Sequence, residues 1–272
     1  MSLAVSTPSD TEAAIARAFV EARRSGQAVT VYPGAIPASM EAAYAIQDQA
    51  IALWPDRIAG WKLGRIPSPF AERYGAGRLA GPIFADNVWP VTGAEMAFAA
   101  IPGGFAAVEA EYVLELGEAA PVRDDWTVAE AASLIATVRI GVEIAGSPFA
   151  GINDHGPTVT ASDFGNNAGL FLGGEVADWR ERLADLTCEV RIDGAVIGTG
   201  GAAMIPGGPI ASLAFLLNTL TRRGRRLEAG QLISTGAATG VHAIAIGQSA
   251  VADFGADGRI ACVAVAAGGA ER

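Results

Sequence analysis

The sequence has few of the residues that build several common kinds of site. Its 272 residues include only two cysteines and two histidines. Cys188 and Cys262 are far apart, lack CxxC spacing, and each lies in an apolar, strand-like run. We therefore expect two buried thiols in a reducing compartment. A zinc site is disfavoured, because no group of histidines and cysteines has the spacing of metal ligands.

Motifs for nucleotide binding and for an activated serine are also missing. The 34 glycines form no GxGxxG motif between a strand and a helix and no GxxxxGK[ST] motif, so nucleotide cofactors are disfavoured. No GxSxG sequence is present, which leaves nucleophilic serine catalysis poorly supported. His155 and His242 remain candidate general bases, with a structural or exposed histidine as the commoner alternative.

Long apolar runs and an excess of basic residues are absent as well. No stretch of about 18 apolar residues occurs, although the mean hydropathy is +0.32, so the sequence predicts no transmembrane helix. The N-terminus shows no basic segment followed by an apolar one, and we expect no signal peptide and a cytoplasmic location. The net charge of −10 argues against nucleic acid as a partner.

The residues that are present predict a large folded core. Hydrophobic residues make up 51% of the chain and charged residues 18%. We expect an α+β fold in which an N-terminal helical segment, residues 1–57, precedes a β-rich catalytic domain, residues 58–272, the two forming one compact unit. The pattern predicts helices over residues 9–25, 39–54, 127–138 and 212–222, a hairpin at Asp193-Gly194, and a long irregular connection over residues 145–167.

One predicted strand, residues 105–116, carries an acidic pair. Alternation places Val108 and Tyr112 on one face and Glu109, Glu111 and Glu115 on the other. Residues two apart on a strand lie about 7 Å apart, so two carboxylates at this spacing can converge on one ion. Without a cation they would repel each other, and Mg2+ would remove that conflict. The simpler alternative is a solvated acidic face.

Three further charged residues stand in apolar surroundings. Glu143 lies on a predicted strand among apolar neighbours, where a buried carboxylate without a partner is costly. One metal ion held by Glu143 and the acidic pair would account for all three carboxylates. Lys62 follows Trp61, and burial would lower its pKa and suit it to acid–base chemistry, unless it extends to the surface. Asp86 is a second acid–base candidate or a turn-forming residue.

Several segments occur in a characteristic order: Gly60-Trp-Lys-Leu-Gly64, residues 79–86, 108–114 and 142–144, and the C-terminal runs over residues 213–218, 223–236 and 246–258. This order resembles the 2-keto-4-pentenoate hydratase branch of the fumarylacetoacetate hydrolase superfamily, over about residues 10–266.

The resemblance implies a β-rich mixed-sheet fold and a particular site. Mg2+ or Mn2+ would be bound by Glu109, Glu111 and Glu143. Lys62 and Asp86 would be catalytic. The substrate-binding residues would be Asn167, Thr235 and Gly236. It also implies a small 2-keto acid substrate from aromatic-compound catabolism, and a homo-oligomer.

The sequence departs from the family pattern around the expected substrate. After Glu143, the segment Ile144-Ala-Gly-Ser-Pro148 lacks the acid and the base that the family has there. Residues 164–169 and 207–209 also differ, and the connection over residues 146–163 is longer. The metal ligands are thus retained while the substrate specificity is left open.

We therefore expect a metal-dependent hydro-lyase that adds water to a 2-hydroxydienoate or 2-keto-4-enoate and gives a 4-hydroxy-2-keto acid. One alternative is a 4-oxalocrotonate-type decarboxylase with the same enol chemistry. Another is an acylpyruvate-type C–C hydrolase with His155 as its base. A binding or regulatory protein that retains the fold is a further alternative, since fold alone does not determine function.

Overall fold

The computed structural model describes residues 10–268. Its helices are α1 Asp10–Ser25, α2 Met40–Leu53, α3 Phe70–Tyr74, α4 Val128–Ser133, α5 Pro157–Ser162, α6 Trp179–Arg182 and α7 Pro209–Arg222. Ser39 caps α2, because its side chain accepts a hydrogen bond from the Ala42 amide. Ser9, where the first predicted helix begins, lies outside the described residues.

Thirteen strands are formed within residues 10–268. They are β1 Ile58–Arg65, β2 Arg78–Phe84, β3 Val88–Pro90, β4 Met96–Ala100, β5 Phe105–Leu116, β6 Ile135–Ser147, β7 Asn167–Glu175, β8 Thr187–Ile192, β9 Ala195–Gly201, β10 Leu232–Ser234, β11 His242–Ala243, β12 Ser249–Asp253 and β13 Arg259–Ala266. The predicted hairpin joins β8 and β9. Asp193 and Gly194 both have positive φ there, as its two-residue turn requires.

The strands form two sheets, and the fold is α+β with mixed sheets, as predicted. An eight-stranded sheet has the order β2-β1-β10-β5-β6-β7-β3, with β11 also paired to β5. Within it, β1 and β10 are parallel, whereas β5 and β6 pair antiparallel along almost their whole length. A five-stranded sheet has the order β4-β13-β12-β8-β9.

The helix predicted over residues 127–138 is too long. A capping box starts the helix, since the Glu130 amide donates to the Thr127 side chain and the Thr127 amide donates to the Glu130 side chain. The helix nevertheless ends at Ser133, and β6 begins at Ile135. Residues 135–140 are rich in β-branched side chains, and their pairing with β5 outweighs the local helical preference. The irregular connection predicted over residues 145–167 is likewise shortened by the end of β6 and by α5.

The main core lies on the face of β5 that carries Val108, Ala110, Tyr112 and Leu114. Apolar residues of α7 and of the five-stranded sheet pack in the same cluster. The opposite face of β5 carries Glu109 and Glu111, which are also buried, so this face needs a polar environment inside the protein.

The N-terminal helices pack against the β-rich body. Phe19 of α1 and Ile46 of α2 share a cluster with Phe164 and with Val159 of α5. Asp48 of α2 forms ion pairs with Arg223 and Arg225, which follow α7. The division of the chain into an N-terminal helical segment, residues 1–57, and a catalytic domain, residues 58–272, stays a prediction.

Two further observations concern general properties of the chain. Cys188 and Cys262 are buried and free, as predicted. Within residues 10–268, no helix combines the length and the apolar character needed to cross a membrane.

Candidate metal centre and active site

Three buried carboxylates converge between β5 and β6. Glu109 and Glu143 are Cα partners across the two strands, and Glu111 lies two residues further along β5. One carboxylate oxygen from each lies within 4.8 Å of the others. All three residues are at most 3% exposed. The alternation of β5 and the register of β6 therefore bring together the three residues proposed as ligands.

Neighbouring residues orient two of the carboxylates. Oε2 of Glu111 accepts hydrogen bonds from the Ser234 hydroxyl (2.5 Å) and the Gly236 amide (2.8 Å). Oε1 of Glu143 accepts one from Nδ2 of Asn167 (3.0 Å). The other oxygens, Oε1 of Glu111 and Oε2 of Glu143, are buried and have no hydrogen-bond partner. Two oriented carboxylates each keep one oxygen free for another ligand.

The electrostatics of the cluster favour a cation. Burial raises the pKa of Glu109 to about 7, against the lowering effect of the Lys62 ammonium. Burial and the other two carboxylates raise the pKa of Glu111 well above its ordinary value. Three carboxylates with orphaned buried oxygens suit a hard divalent ion, which prefers oxygen ligands. The acidic triad can bind such an ion.

Lys62 lies beside the triad on β1. Its Nζ is 2.9 Å from Oε1 of Glu143 and donates a hydrogen bond to Oδ1 of Asn166 (3.1 Å). Burial alone would lower the pKa of Lys62, but the three carboxylates outweigh burial and raise it above its ordinary value. The expectation of a lowered pKa is therefore wrong for this structure, in which Lys62 is the protonated partner of the three carboxylates.

Close backbone packing brings Asn166 to Lys62. A Cβ at Gly81 on β2 would collide with the carbonyl oxygen of Phe164. Gly165 has φ of +63°, and a Cβ there would lie 3.1 Å from the backbone nitrogen of Gly81. Two glycines thus allow the turn over residues 164–166 to lie directly on β2 next to Lys62.

The three residues proposed to bind substrate lie around the same cluster. Asn167 and Gly236 hydrogen bond to Glu143 and Glu111, as described above. The Thr235 hydroxyl donates to the carbonyl oxygen of Tyr112 at 2.7 Å. Thr235 and Gly236 also line the cavity described below. Their binding of substrate stays a prediction.

Asp86 requires a correction, because the structure does not bring it to the site. Lys62 lies opposite Gly81 in the β1–β2 pair, whereas Phe84, next to the turn that carries Asp86, lies opposite Ile58. Asp86 is exposed in a 3-10 turn, and its amide donates to the Asp56 carboxylate. The turn-forming alternative fits this position.

Neither histidine faces the carboxylates. His155 is exposed and stacks on Phe149, with ring centroids 5.7 Å apart. His242 makes a 3.0 Å hydrogen bond with Thr239, and burial lowers its pKa. Neither lines the cavity at the triad, so His155 is not placed to act as a hydrolytic base.

A cavity of about 570 Å³ leads to the triad. Buried residues, including Lys62, Glu109 and Thr235, line its inner end. Exposed side chains such as Arg65 and Met204 line its mouth. Of the three carboxylates, Glu109 is the one in the cavity wall. A small acid can therefore reach Glu109 and Lys62 from solvent.

An ion pair that the sequence did not reveal supports the far end of β6. Arg23 of α1 donates to Asp163 (2.6 Å), to the carbonyl oxygen of Asn167 (2.9 Å) and to that of Gly146 (2.8 Å). The Ser147 hydroxyl also donates to Asp163 at 2.6 Å. An acid and a base from distant parts of the chain thus lie against Gly146 and Ser147. Arg23 and Asp163 are 140 positions apart, so no local sequence pattern links them.

Ser234 and Asn166 also lie at the site, although neither was predicted as a site residue. Ser234 ends β10, which runs parallel to β1 with Ser234 opposite Lys62. A polar residue at the end of an otherwise apolar strand was the only signal for it. Asn166 has φ of 57°, a conformation that asparagine tolerates, but its contact with Lys62 depends on the tertiary fold.

The chain is similar in sequence and in fold to known enzymes. No protein-family model matches the sequence. The chain is 28% identical to 4-oxalocrotonate decarboxylase from Pseudomonas sp over 241 residues, which cover 86% of this chain and 91% of that protein. A 4-oxalocrotonate decarboxylase from Pseudomonas putida is 32% identical over 89 residues, 32% of this chain and 34% of that protein.

Solved structures show the same architecture. The 4-oxalocrotonate decarboxylase from Pseudomonas putida G7, complexed with magnesium and adipate, matches with a TM-score of 0.79 at 19% identity, over 93% of this chain and 97% of that one. The chain has the fold of this enzyme. Fumarylpyruvate hydrolase from Pseudomonas aeruginosa, in complex with Mn2+ and pyruvate, matches with a TM-score of 0.56 at 18% identity, over 78% and 91% of the two chains.

These findings support the superfamily resemblance but not its hydratase branch. The expectation of a hydro-lyase is wrong, because the curated relatives are decarboxylases, which are lyases that release CO2 and do not add water. The metal expectation is confirmed. Related structures hold Mg2+ or Mn2+, and this chain has a buried acidic triad that can bind a divalent ion.

Proposed function

We propose that the chain is a metal-dependent decarboxylase of a 4-oxalocrotonate-type acid. This substrate is a 2-keto dicarboxylic acid with a carbon–carbon double bond between its keto group and its distal carboxylate. The similarity to 4-oxalocrotonate decarboxylase over 86% of the chain carries the proposal. The buried triad with Lys62 beside it, at the inner end of a cavity, supports it independently.

Glu109, Glu111 and Glu143 would hold the ion. When bound, a divalent ion supplies Lewis-acid polarisation of the 2-keto group and offsets the negative charge of the adjoining carboxylate. Ser234 and Gly236 hold Glu111, and Asn167 holds Glu143, so the ligands are oriented before any ion arrives. Preorganised ligands lose little freedom when an ion binds.

Lys62 would stabilise the charge that develops in the reaction. Loss of CO2 breaks the bond between the distal carboxylate and its neighbouring carbon. The electron pair moves through the double bond towards the 2-keto oxygen and gives a dienolate, which then takes up one proton. The Lys62 ammonium is 2% exposed, so its attraction for the developing negative charge acts in a medium of low dielectric. Its proton is available for the dienolate.

The substrate-binding roles of Asn167, Thr235 and Gly236 belong to the same proposal. A homo-oligomeric assembly, a role in aromatic-compound catabolism and a cytoplasmic location remain predictions from the sequence.

Replacement of Glu109 tests the proposal. The Mg2+-loaded protein should release CO2 from a 4-oxalocrotonate-type acid, and Glu109→Gln should lose both Mg2+ binding and CO2 release. Glu115→Gln is the matched control, because Glu115 lies further along β5 and pairs with Arg139 away from the triad. Wild-type protein that releases no CO2, or a Glu109→Gln variant that keeps full activity, would contradict the proposal.

A further inference from the structure

Two arginines lie together at the mouth of the cavity. Arg65 ends β1 and Arg78 begins β2, and the two are Cα partners in the antiparallel pair. Both line the cavity that contains Lys62 and Glu109. Like charges directly opposite each other on neighbouring strands are destabilising. An anion bound between them would remove this repulsion.

Arg78 differs from the other partly buried arginines of residues 10–268. Each of the others forms an ion pair with an aspartate or glutamate: Arg23, Arg123, Arg139, Arg182, Arg223 and Arg225. Arg78 instead donates through Nη2 to the carbonyl oxygen of Pro206. Burial lowers the pKa of Arg78, as expected of a cation that is partly desolvated without a carboxylate.

The remaining donors of Arg78 are free for a ligand. A guanidinium has five N–H donors in a planar fork that matches a carboxylate, and one nitrogen is fixed here by Pro206. The chain has 29 acidic and 19 basic residues, so carboxylates outnumber the cations that could pair with them. A partly buried arginine that has no carboxylate partner is therefore unexpected in this chain. These donors of Arg78 match the oxygens of a carboxylate in number and geometry.

We propose that Arg78, with Arg65 beside it, binds the distal carboxylate of the substrate and makes the cavity selective for 2-keto dicarboxylates over 2-keto monocarboxylates. This inference rests on the proposed function in one respect, because it assumes that the keto-acid end of the substrate binds at the triad.

The two ends of a six-carbon diacid lie closer together than Lys62 and Arg65. Lys62 and Arg65 are three residues apart on β1, so their Cα atoms are separated by about 10 Å. One residue of extended backbone contains three bonds and spans about 3.5 Å. By the same measure, the five carbon–carbon bonds of a six-carbon diacid span about 6 Å. The flexible side chains of Arg65 and Arg78 cover the difference.

The role differs from that of Lys62. Arg78 would bind the carboxylate before it leaves and would contribute chiefly to recognition of the substrate. Its loss should therefore raise KM far more than it lowers kcat. A purely structural role for Arg78 would instead weaken all ligands alike.

A matched pair of ligands tests the subsite. The affinities of 2-oxohexanedioate and 2-oxohexanoate for the Mg2+-loaded protein are measured by calorimetry, since the two differ only in the distal carboxylate. We expect the wild type to prefer the diacid by about 10- to 100-fold, the range for a charged hydrogen bond. Arg78→Gln should remove most of this preference and leave the affinity for 2-oxohexanoate unchanged. Arg73→Gln, an exposed arginine outside the cavity, should keep it.

The outcomes separate this inference from the proposed function. Equal affinity of the wild type for both acids, or a full preference in Arg78→Gln, would overturn the subsite while the decarboxylase proposal stands. A preference that depends on Arg78, found without any CO2 release, would support the subsite and contradict the decarboxylase. If neither acid binds the wild type, both proposals fail.

Discussion

Without a metal ion, the stability of the protein should fall as the pH rises from about 5 to about 7. Burial raises the pKa of Glu109 from 4.5 to about 7, so the folded state binds a proton over this range that the unfolded state has released. Stability is then lost as the pH rises towards the folded pKa. The difference in pKa corresponds to roughly 3 kcal/mol for this one carboxyl group.

Mg2+ should reverse this trend. The ion competes with the proton for Glu109, so its apparent affinity increases with pH. At a free concentration 100 times the Kd it should add about 2.7 kcal/mol to the free energy of unfolding. For a chain of this size, that is a rise in Tm of about 5 °C or more. At one fixed Mg2+ concentration, the rise in Tm should be larger at pH 8 than at pH 6.

Chemical unfolding between pH 5 and 8, with EDTA or with Mg2+, measures both effects. Glu109→Gln should remove the downward slope and the Mg2+ response together, whereas Glu115→Gln should keep both. The reasoning is refuted if the metal-free wild type becomes more stable between pH 5 and 7, or if Glu109→Gln has the same pH dependence as the wild type.

Three other perturbations test separate parts of the site. Arg23→Gln should destabilise the protein by about 3 kcal/mol in urea unfolding, because it leaves Asp163 as a buried charge without an opposite charge beside it, whereas Arg24→Gln on the exposed face of α1 should have little effect. Ser234→Ala should weaken Mg2+ binding about 10-fold in calorimetry by freeing Glu111, and unchanged binding would show that the hydrogen bond is unimportant. Lys62→Gln should lower kcat at least about 100-fold while Mg2+ still binds, and a smaller loss would argue against its role with the dienolate.

Much of the fold follows from side-chain alternation. The pattern of β5 predicted the strand, its buried face and the direction of Glu109 and Glu111. The end of α4 was not predictable in the same way, because a sound capping box and an alanine-rich segment favour a longer helix. Pairing of Ile135 and its neighbours with β5 decides that boundary, and it depends on a partner elsewhere in the chain.

The candidate site was predictable where a charge stood in apolar surroundings. Glu143 and Lys62 were recognised for that reason, and the structure brings them within 2.9 Å of each other. Asp86 shows the limit of the argument, because its distance from Lys62 depends on the register of β1 and β2. Arg23 and Asp163 show another limit, since their contact joins an N-terminal helix to a distant loop.

The most direct test of metal-dependent decarboxylation is the ratio of CO2 released to substrate consumed. A 4-oxalocrotonate-type acid should give one CO2 per molecule consumed by the Mg2+-loaded protein. Treatment with EDTA should stop the release, and added Mg2+ should restore it. Consumption of the acid without CO2, or CO2 release that EDTA does not affect, would contradict the account.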